Sequence, residues 1–555
     1  MIRTCQPQEQ RTRANVCALV IIVAGFGLLV SGLGGKSLWG DEEYTTWVIQ
    51  GDFSWVTTTV MAPGSAHPPL HFLTLWIWRL FAGDTELALR FPSVVFGTLS
   101  IAMLYPLGKR MMGQGVGLVA TALMAVSPFL VLYSRMARYY SMVLFWTLLS
   151  CWFFYSLLTG RGTVRRWMGY TIASALAVYT FYPAAFMVAA QLVVGLAAKW
   201  SDRRFLLRLL ASDVSVALLF SPWVPVITSQ GAVLRALPDA FAGSSSAMWM
   251  LSLAYPVLSW TVGETIYPWN PVALTGVILA AYLVSRGFVL AVKSIDRSAP
   301  VEQSSDNLLG GAHALKLHLS ARMGAQSRRP PQALCIALFI VVPLFLTIVT
   351  VRQFVSGASF MGVANRTLFC APFVYLLIGA GICAVTHPAR RFLAVATLGG
   401  VLGLSLGNYQ LGREFHNPIY SLQIEALADS IAQQAEPGDV FVSDHMTAFD
   451  YYIRRNHGGV AFRADEPQTA RDYIREHRSP RVWLVLLSRA VDTESLASAE
   501  LIPWLDEGYE LDLTFGYAPL DDGYRRVQQL VLRKPAGEYK VVVSRYRRIG
   551  AGSSG

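Results

Sequence analysis

ELALRFPSVVFGTLSIAMLYPLGKRMMGQGVGLVATALMAVSPFLVLYSRMARYYSMVLFWTLLSCWFFYSLLTG, residues 86–160, is the stretch that decides the fold. It holds three apolar runs, 87–108, 115–133 and 140–160. Each approaches the roughly 20 residues that a helix needs to cross a bilayer. Lys109 and Arg110 follow the first run, and Arg135 and Arg138 lie between the second and third. Outward from there the pattern recurs at 15–33, 166–180, 182–199, 209–228, 271–292, 332–352, 367–386 and 392–409, which makes eleven expected spans. The first has Arg3, Arg11 and Arg13 before it and no clean small-residue cleavage site, so it reads as a retained anchor.

Composition agrees. Of 555 residues, 54% are apolar and 15% charged, whereas soluble domains carry about 25% charged residues. A soluble globular enzyme, a disordered chain and a disulfide scaffold are excluded. The six cysteines all precede residue 384 and form no CxxC pair, so neither a metal knuckle nor a disulfide framework follows. The chain is an α-helical polytopic membrane protein with a soluble appendage.

Charge sets the expected orientation. Residues 1–409 carry 29 Lys/Arg and 14 Asp/Glu, and residues 410–555 carry 17 and 21. The basic excess falls in alternate short loops: Arg3 to Arg13, Lys109 and Arg110, Arg161 to Arg166, Lys199 to Arg208, Lys293 to Arg329, and Arg390 and Arg391. That is the positive-inside pattern of a membrane protein, and it argues against nucleic-acid binding. The N-terminus is then cytoplasmic, and an odd number of spans places residues 410–555 on the periplasmic side of the inner membrane. The inner loop 294–331 is polar, rich in Ser and Gly, and expected to be flexible.

Two further regions stand apart. Residues 34–86 read as a first outer loop with interfacial helices in DEEYTTWVIQ, SWVTTTVM and PPLHFLTLWIWRLFAG. The last is too short to span, holds Arg79, and belongs to a segment rich in Trp. Residues 246–262 form a second such segment. The tail, 410–555, alternates short helices and strands, which points to a small α/β domain. Helices are expected at 421–435, 446–455, 468–477 and 494–507, and strands at 438–443, 481–488, 510–515, 525–533 and 539–546.

The candidate chemistry is concentrated outside. Asp41, Glu42 and Glu43 are consecutive, directly after the first span. Crowded carboxylates raise one another's proton affinity and can poise one as a general base, although acids also favour helix starts. His67 and His71 are four apart in SAHPPLH, but the HExxH context of a zinc helix is absent and the prolines suit a helix start. His67 fits a polar contact to a phosphate or sugar. Arg135 and Arg138, in YSRMARYYSM, and Arg366, in ANRTLFCAP, lie at outer helix ends against the positive-inside trend. A guanidinium fork matches a phosphate; the alternative is snorkelling to lipid headgroups. Asp213 reads as structural, and YTFYP at 179–183 as a tight outer turn. Carboxylates, arginines and aromatic rings on one outer surface suit a substrate with an apolar tail in the bilayer and an anionic head outside.

At these motifs the sequence resembles the bacterial glycosyltransferase family 39 type of GT-C membrane glycosyltransferase. That group includes the protein O-mannosyltransferases and is related to the lipid A aminoarabinose transferases. The shared pattern is LWGDEEYT, HPPLHFLTLWIWRLFAG, ELALRFPSVVFGTLSIAMLYPLGKRM and SPFLVLYSRMARYYSM, in that order over residues 35–160, with a later element from Arg366 to Pro372. The resemblance implies a GT-C transmembrane catalytic domain at 1–409 and transfer of a sugar from a polyprenyl-phosphate carrier to an acceptor at the outer face, with inversion. It implies Asp41 as general base, Glu42 as its support, and Arg135, Arg138, Arg366 and Tyr140 at the carrier phosphate. His67, Glu43 and Tyr44 would line the cavity. Glu43 is an extra carboxylate relative to the family's Asp-Glu pair. Some GT-C relatives use a divalent metal at such carboxylates and others do not, so no metal ligand is assigned. Two other classes compete: a transporter or flippase of polyprenyl-linked glycans, which predicts repeats and paired broken helices that are not seen, and a non-catalytic scaffold, which would tolerate loss of the loop carboxylates.

Overall fold

A computed structural model of the chain describes residues 7–62, 65, 67–160, 162–229, 246–296, 332–354, 361–417, 420, 422–443, 447–458, 461–463, 467–489, 496–517 and 539–549. Two compact units divide it: residues 1–33 with 52–414, and residues 34–51 with 415–555. The segment 34–86, read above as one outer loop, is thus split between them. The polar loop 294–331 and the strand expected at 525–533 lie almost wholly or wholly outside the described residues.

The first unit is helical. In chain order its helices are α1 (Pro7–Val30), then, after the second unit's α2 (Gly40–Ile49), α3 (Phe53–Met61), α4 (Leu70–Ala82), α5 (Glu86–Met112), α6 (Gln114–Ala125), α7 (Pro128–Ser134) and α8 (Tyr140–Thr159). There follow α9 (Val164–Thr180), α10 (Ala184–Ala198), α11 (Arg203–Phe220), α12 (Ser246–Val262), α13 (Pro271–Asp296), α14 (Gln332–Phe354), α15 (Met361–Arg366), α16 (Ala371–Cys383) and α17 (Pro388–Leu411). Every one of the eleven expected spans is helical. Among the described residues, seven helices are long and apolar enough to cross a bilayer: α1, α5, α8, α11 with its extension to Ser229, α13, α14 and α17. An eighth span is formed if α6 and α7, bent by 59° at Val126–Ser127, count as one. Helices α9, α10 and α16 are shorter, at 17, 15 and 13 residues.

Large apolar side chains stay exposed along these helices, among them Leu19, Val23, Leu218 and Ile278, each 60% or more open. In water such a surface would be an interaction patch; on a spanning bundle it faces lipid. Inside the bundle polar groups pair between helices. Ser150 of α8 meets Ser174 of α9 at 2.8 Å, and the Gln191 amide of α10 donates to Ser150 at 3.1 Å. Tyr170 donates to Asp213 at 2.8 Å, joining α9 to α11, which is the structural role expected of Asp213. Helices α13 and α16 cross so closely that a Cβ on Gly287 or Gly381 would run into the other helix's backbone carbonyl, the small-residue contact that tight membrane crossings need.

Helices α3 and α4 are short. Ile77, Leu80 and Phe81 of α4 are more than half exposed, as befits a helix lying at the interface. Arg79, costly within such a helix, meets Asp84 at 3.8 Å.

The second unit is an α/β domain. It contains α2, then α18 (Ile424–Gln434), β1 (Val440–Ser443), α19 (Thr447–His457), β2 (Ala461–Arg463), α20 (Pro467–Glu476), β3 (Arg481–Arg489), α21 (Leu496–Gly508), β4 (Tyr509–Tyr517) and β5 (Tyr539–Arg548). The strands form one sheet in the order β2-β1-β3-β5-β4. β1 runs parallel to β2 and β3, and β5 runs antiparallel to β3 and β4. Val440, Val442, Val482 and Leu484 pack against Ala470, Ile474, Leu501 and Leu505 from the helices. Arg481, at the start of β3, holds Asp439 at 2.9 Å and Glu436 at 2.7 Å, and Trp483 donates to Asp439 at 2.9 Å. The three-residue β2 has too little sequence to show a strand period, and the sequence reading missed it.

Candidate functional site

The YSRMARYYSM stretch follows a proline that sets the start of the helix before it. Pro128 opens α7, and the Ser127 hydroxyl accepts from the Leu130 amide at 3.3 Å, capping the helix. The expected span 115–133 is therefore broken at Val126–Ser127. α7 ends at Ser134, a tight turn runs through residues 135–139, and α8 starts at Tyr140. Every residue from 127 to 144 is buried. A chain bend within protein leaves Arg138 in a dry setting, where its charge acts strongly.

Arg138 donates to His67 Nε2 at 3.2 Å. His67 must then be neutral there, with its proton on Nδ1. Burial chiefly, and then the charges of Arg138 and Arg366, hold the His67 imidazole well below the usual histidine range. Burial and Arg138 push His71 down to about 3, although a hydrogen bond to the Ala137 backbone opposes them. Arg138 also lies over the Tyr139 ring at 5.1 Å, and the Ser93 hydroxyl donates to its carbonyl at 3.2 Å. Tyr139 stacks on Phe181 at 4.5 Å and meets Tyr140 at 4.6 Å. Asn365 donates to the Tyr140 hydroxyl at 3.4 Å, and the neighbouring Arg366 donates to the Gly362 carbonyl at 2.9 Å. The buried Arg138 and Tyr140 and the half-buried His67 and Arg366 thus gather into one cationic cluster with aromatic neighbours.

Arg135 has a different set of partners. It donates to the Ser31 carbonyl at 2.6 Å and lies over the Tyr409 ring at 5.1 Å. Arg90 donates to the Leu33 carbonyl at 3.0 Å. The two arginines hold the chain where it leaves α1. Sequence reading grouped Arg135 with Arg138 because they are neighbours, yet three residues across a turn send the side chains to different contacts.

The acidic triplet belongs to the second unit. Asp41, Glu42 and Glu43 fill the first turn of α2, where carboxylates suit the helix dipole. Glu42 is fully buried and Glu43 nearly so, while Asp41 is half-buried. The Trp39 backbone donates to the Glu42 carboxylate at 3.4 Å, so Glu42 helps to close the helix start. Tyr44 packs on Trp47, with centroids 6.0 Å apart.

Sequence reading passed over Glu264, which follows α12. Tyr133 donates to its carboxylate at 2.8 Å. Burial pushes its proton affinity up, to a pKa of about 7, against hydrogen bonds from Tyr133, Ser259 and Tyr255. The Tyr133 ring meets Tyr140 at 4.8 Å, which links Glu264 to the cluster. A lone acid just past an apolar helix was the available signal. Among the described residues no cluster of three His, Cys, Asp or Glu side chains could hold a metal ion.

A helical membrane unit with a broken span, short interfacial helices and a small α/β domain is a fold this chain shares with solved structures. ArnT from Cupriavidus metallidurans in the apo state is similar at a TM-score of 0.54 and 12% identity, over 96% of this chain and 98% of that one. ArnT from the same organism bound to undecaprenyl phosphate gives 0.50 and 14%, over 97% and 98%. Residues 66–227, which carry His67, Arg135, Arg138 and Tyr140, match the family model of dolichyl-phosphate-mannose-protein mannosyltransferases. A comparison with curated proteins gave no match.

The cluster also makes a pH prediction. Native His71 stays neutral down to about pH 3, whereas an unfolded histidine protonates near pH 6.5. Between those values the unfolded state binds more protons, so stability falls as pH falls, by up to about 1.4 kcal/mol per pH unit for such a group. The melting temperature of the detergent-solubilised protein should drop between pH 7 and pH 5, and drop less in His71→Phe. Equal slopes would remove His71 from the acid response.

Proposed function

We propose that the protein transfers a sugar from a polyprenyl-phosphate carrier to an acceptor at the outer face of the membrane, with inversion at the anomeric carbon. The observation that carries this reading is the cationic cluster in which the buried Arg138 donates to a neutral His67, with Arg366 beside them. Neutral histidines leave its net charge positive, so it suits a phosphate head on a lipid. The fold match to ArnT, one form of which was solved with undecaprenyl phosphate, supports such a donor.

In this reading the half-buried Asp41 accepts the proton of the acceptor hydroxyl. The hydroxyl oxygen attacks the anomeric carbon as the bond from that carbon to the phosphate oxygen breaks. A single displacement inverts the centre. Polyprenyl phosphate leaves with the electron pair, and Arg138 and Arg366 stabilise its charge as it develops. Arg135, through its hold on the end of α1, serves the frame more than the phosphate. The N-terminus is cytoplasmic in this scheme, and the α/β domain is periplasmic.

The test uses purified protein in liposomes with a polyprenyl-phosphate sugar labelled in the sugar. Mass spectrometry of the lipid that purifies with the protein identifies the carrier. Transfer predicts that labelled sugar leaves the lipid as free polyprenyl phosphate accumulates. Movement of the intact labelled lipid between leaflets without bond cleavage would overturn the proposal in favour of a flippase.

A further inference from the structure

We infer that the C-terminal α/β domain is the mount of the carboxylate segment, with Tyr452 as a positioning residue for Asp41. The inference rests on the proposed role of Asp41. Its own support is geometric and lies within one unit. Residues 34–51 cluster with 415–555 and not with the helices that precede and follow them in sequence. The Leu38 amide, three residues before Asp41, donates to the Tyr452 hydroxyl of α19 at 2.9 Å, and both side chains are fully buried. The Glu425 amide at the start of α18 donates to the Ser37 hydroxyl at 3.2 Å. Trp39 meets Tyr420 edge-on at 4.6 Å, and Lys36 lies over Phe415 at 4.9 Å. Four successive residues, 36–39, are therefore each tied to the domain, directly before the helix start that bears the acids.

These ties do different work. Leu38 and the two aromatic contacts bury area, which holds the segment to the domain. The Tyr452 hydrogen bond is directional, and it fixes the rotation of the backbone at the point where α2 begins. Thr45 donates to the Asp41 carbonyl at 3.0 Å, and Glu42 closes the turn on Trp39, so a twist at Leu38 passes to Asp41 with little slack. Removing the Tyr452 hydroxyl leaves the ring and its packing, so the segment stays docked but its register loosens. A general base displaced by a fraction of an ångström to an ångström loses about 10- to 100-fold in rate.

The experiment compares wild type with Tyr452→Phe, Ser37→Ala and Asp41→Asn in the full-length protein. In Tyr452→Phe, kcat is expected to fall at least tenfold, with the donor KM and the melting temperature unchanged. A general packing defect would lower the melting temperature instead. Hydrogen exchange of a peptide covering residues 37–43 should speed up while a peptide covering 128–145 stays as in wild type. Should Tyr452→Phe unfold the chain, Ser37→Ala carries the same expectation through the Glu425 contact. Wild-type kcat together with unchanged exchange in a folded variant would overturn the inference. If Asp41→Asn is fully active while exchange at 37–43 still responds to Tyr452, the mount stands and the assignment of Asp41 falls.

Discussion

Asp41→Asn is expected to abolish sugar transfer while leaving the carrier bound. The change keeps the shape of the side chain and one acceptor oxygen, but turns the other oxygen into an NH2 donor and removes the charge and the ability to take a proton. Positioned general bases contribute about 10²- to 10⁴-fold, so kcat should fall by at least that lower bound with little change in donor KM. The neighbours make useful controls. Glu42 is buried and its carboxylate accepts from the Trp39 backbone, so Glu42→Gln should act mainly on stability. Glu43 is also buried, at 3% exposure. Near-normal turnover in Asp41→Asn, measured with a radiolabelled polyprenyl-phosphate sugar, would remove Asp41 from the mechanism and turn attention to Glu43→Gln.

The second large effect is expected from Arg138→Ala. This side chain donates to His67 and covers Tyr139 from a position that is 2% exposed. Losing a charged donor aimed at a leaving phosphate costs about 10²- to 10³-fold, and here both kcat and donor affinity should suffer. Lysine should restore little, because a point charge cannot meet His67 and a phosphate with one planar fork. Arg135→Ala provides the contrast. Its partners are the Ser31 carbonyl and the Tyr409 ring, so its loss should lower the melting temperature more than it weakens donor binding. If Arg135→Ala and Arg138→Ala lose donor affinity equally, the two arginines act together and the division drawn here is wrong.

Much of the architecture was legible because lipid imposes a coarse code. An apolar run of about 20 residues has few alternatives, and each of the eleven runs is helical. Break points were harder to see. Residues 115–133 read as one span because apolarity carries no record of direction, and Ser127–Pro128 is a cap followed by a helix start only in retrospect. Charged residues against the positive-inside trend drew attention to Arg138 and Arg366, and His67 joined them through its Pro-Pro context. What the linear pattern could not convey was partnership across long separations. Nothing between Leu38 and Tyr452 marks them as a pair, and Arg135 looks like a twin of Arg138 until the turn at 135–139 parts them. Glu264 had no companion in sequence, since Tyr133 lies 131 positions away.

The discontinuous make-up of the α/β unit has a consequence for biosynthesis. Residues 34–51 are synthesised more than 350 positions ahead of the rest of their unit. At ribosomal speeds of about 5–20 residues per second, the segment waits on the order of 20 to 70 s for its partners. Throughout that interval a hydrophobic strip that includes Leu38, Val48 and Ile49 has no sheet domain to lean on. Nascent chains of this protein should therefore need a caretaker beyond the translocon, and a chimera that exchanges residues 415–555 alone would inherit an orphaned first helix.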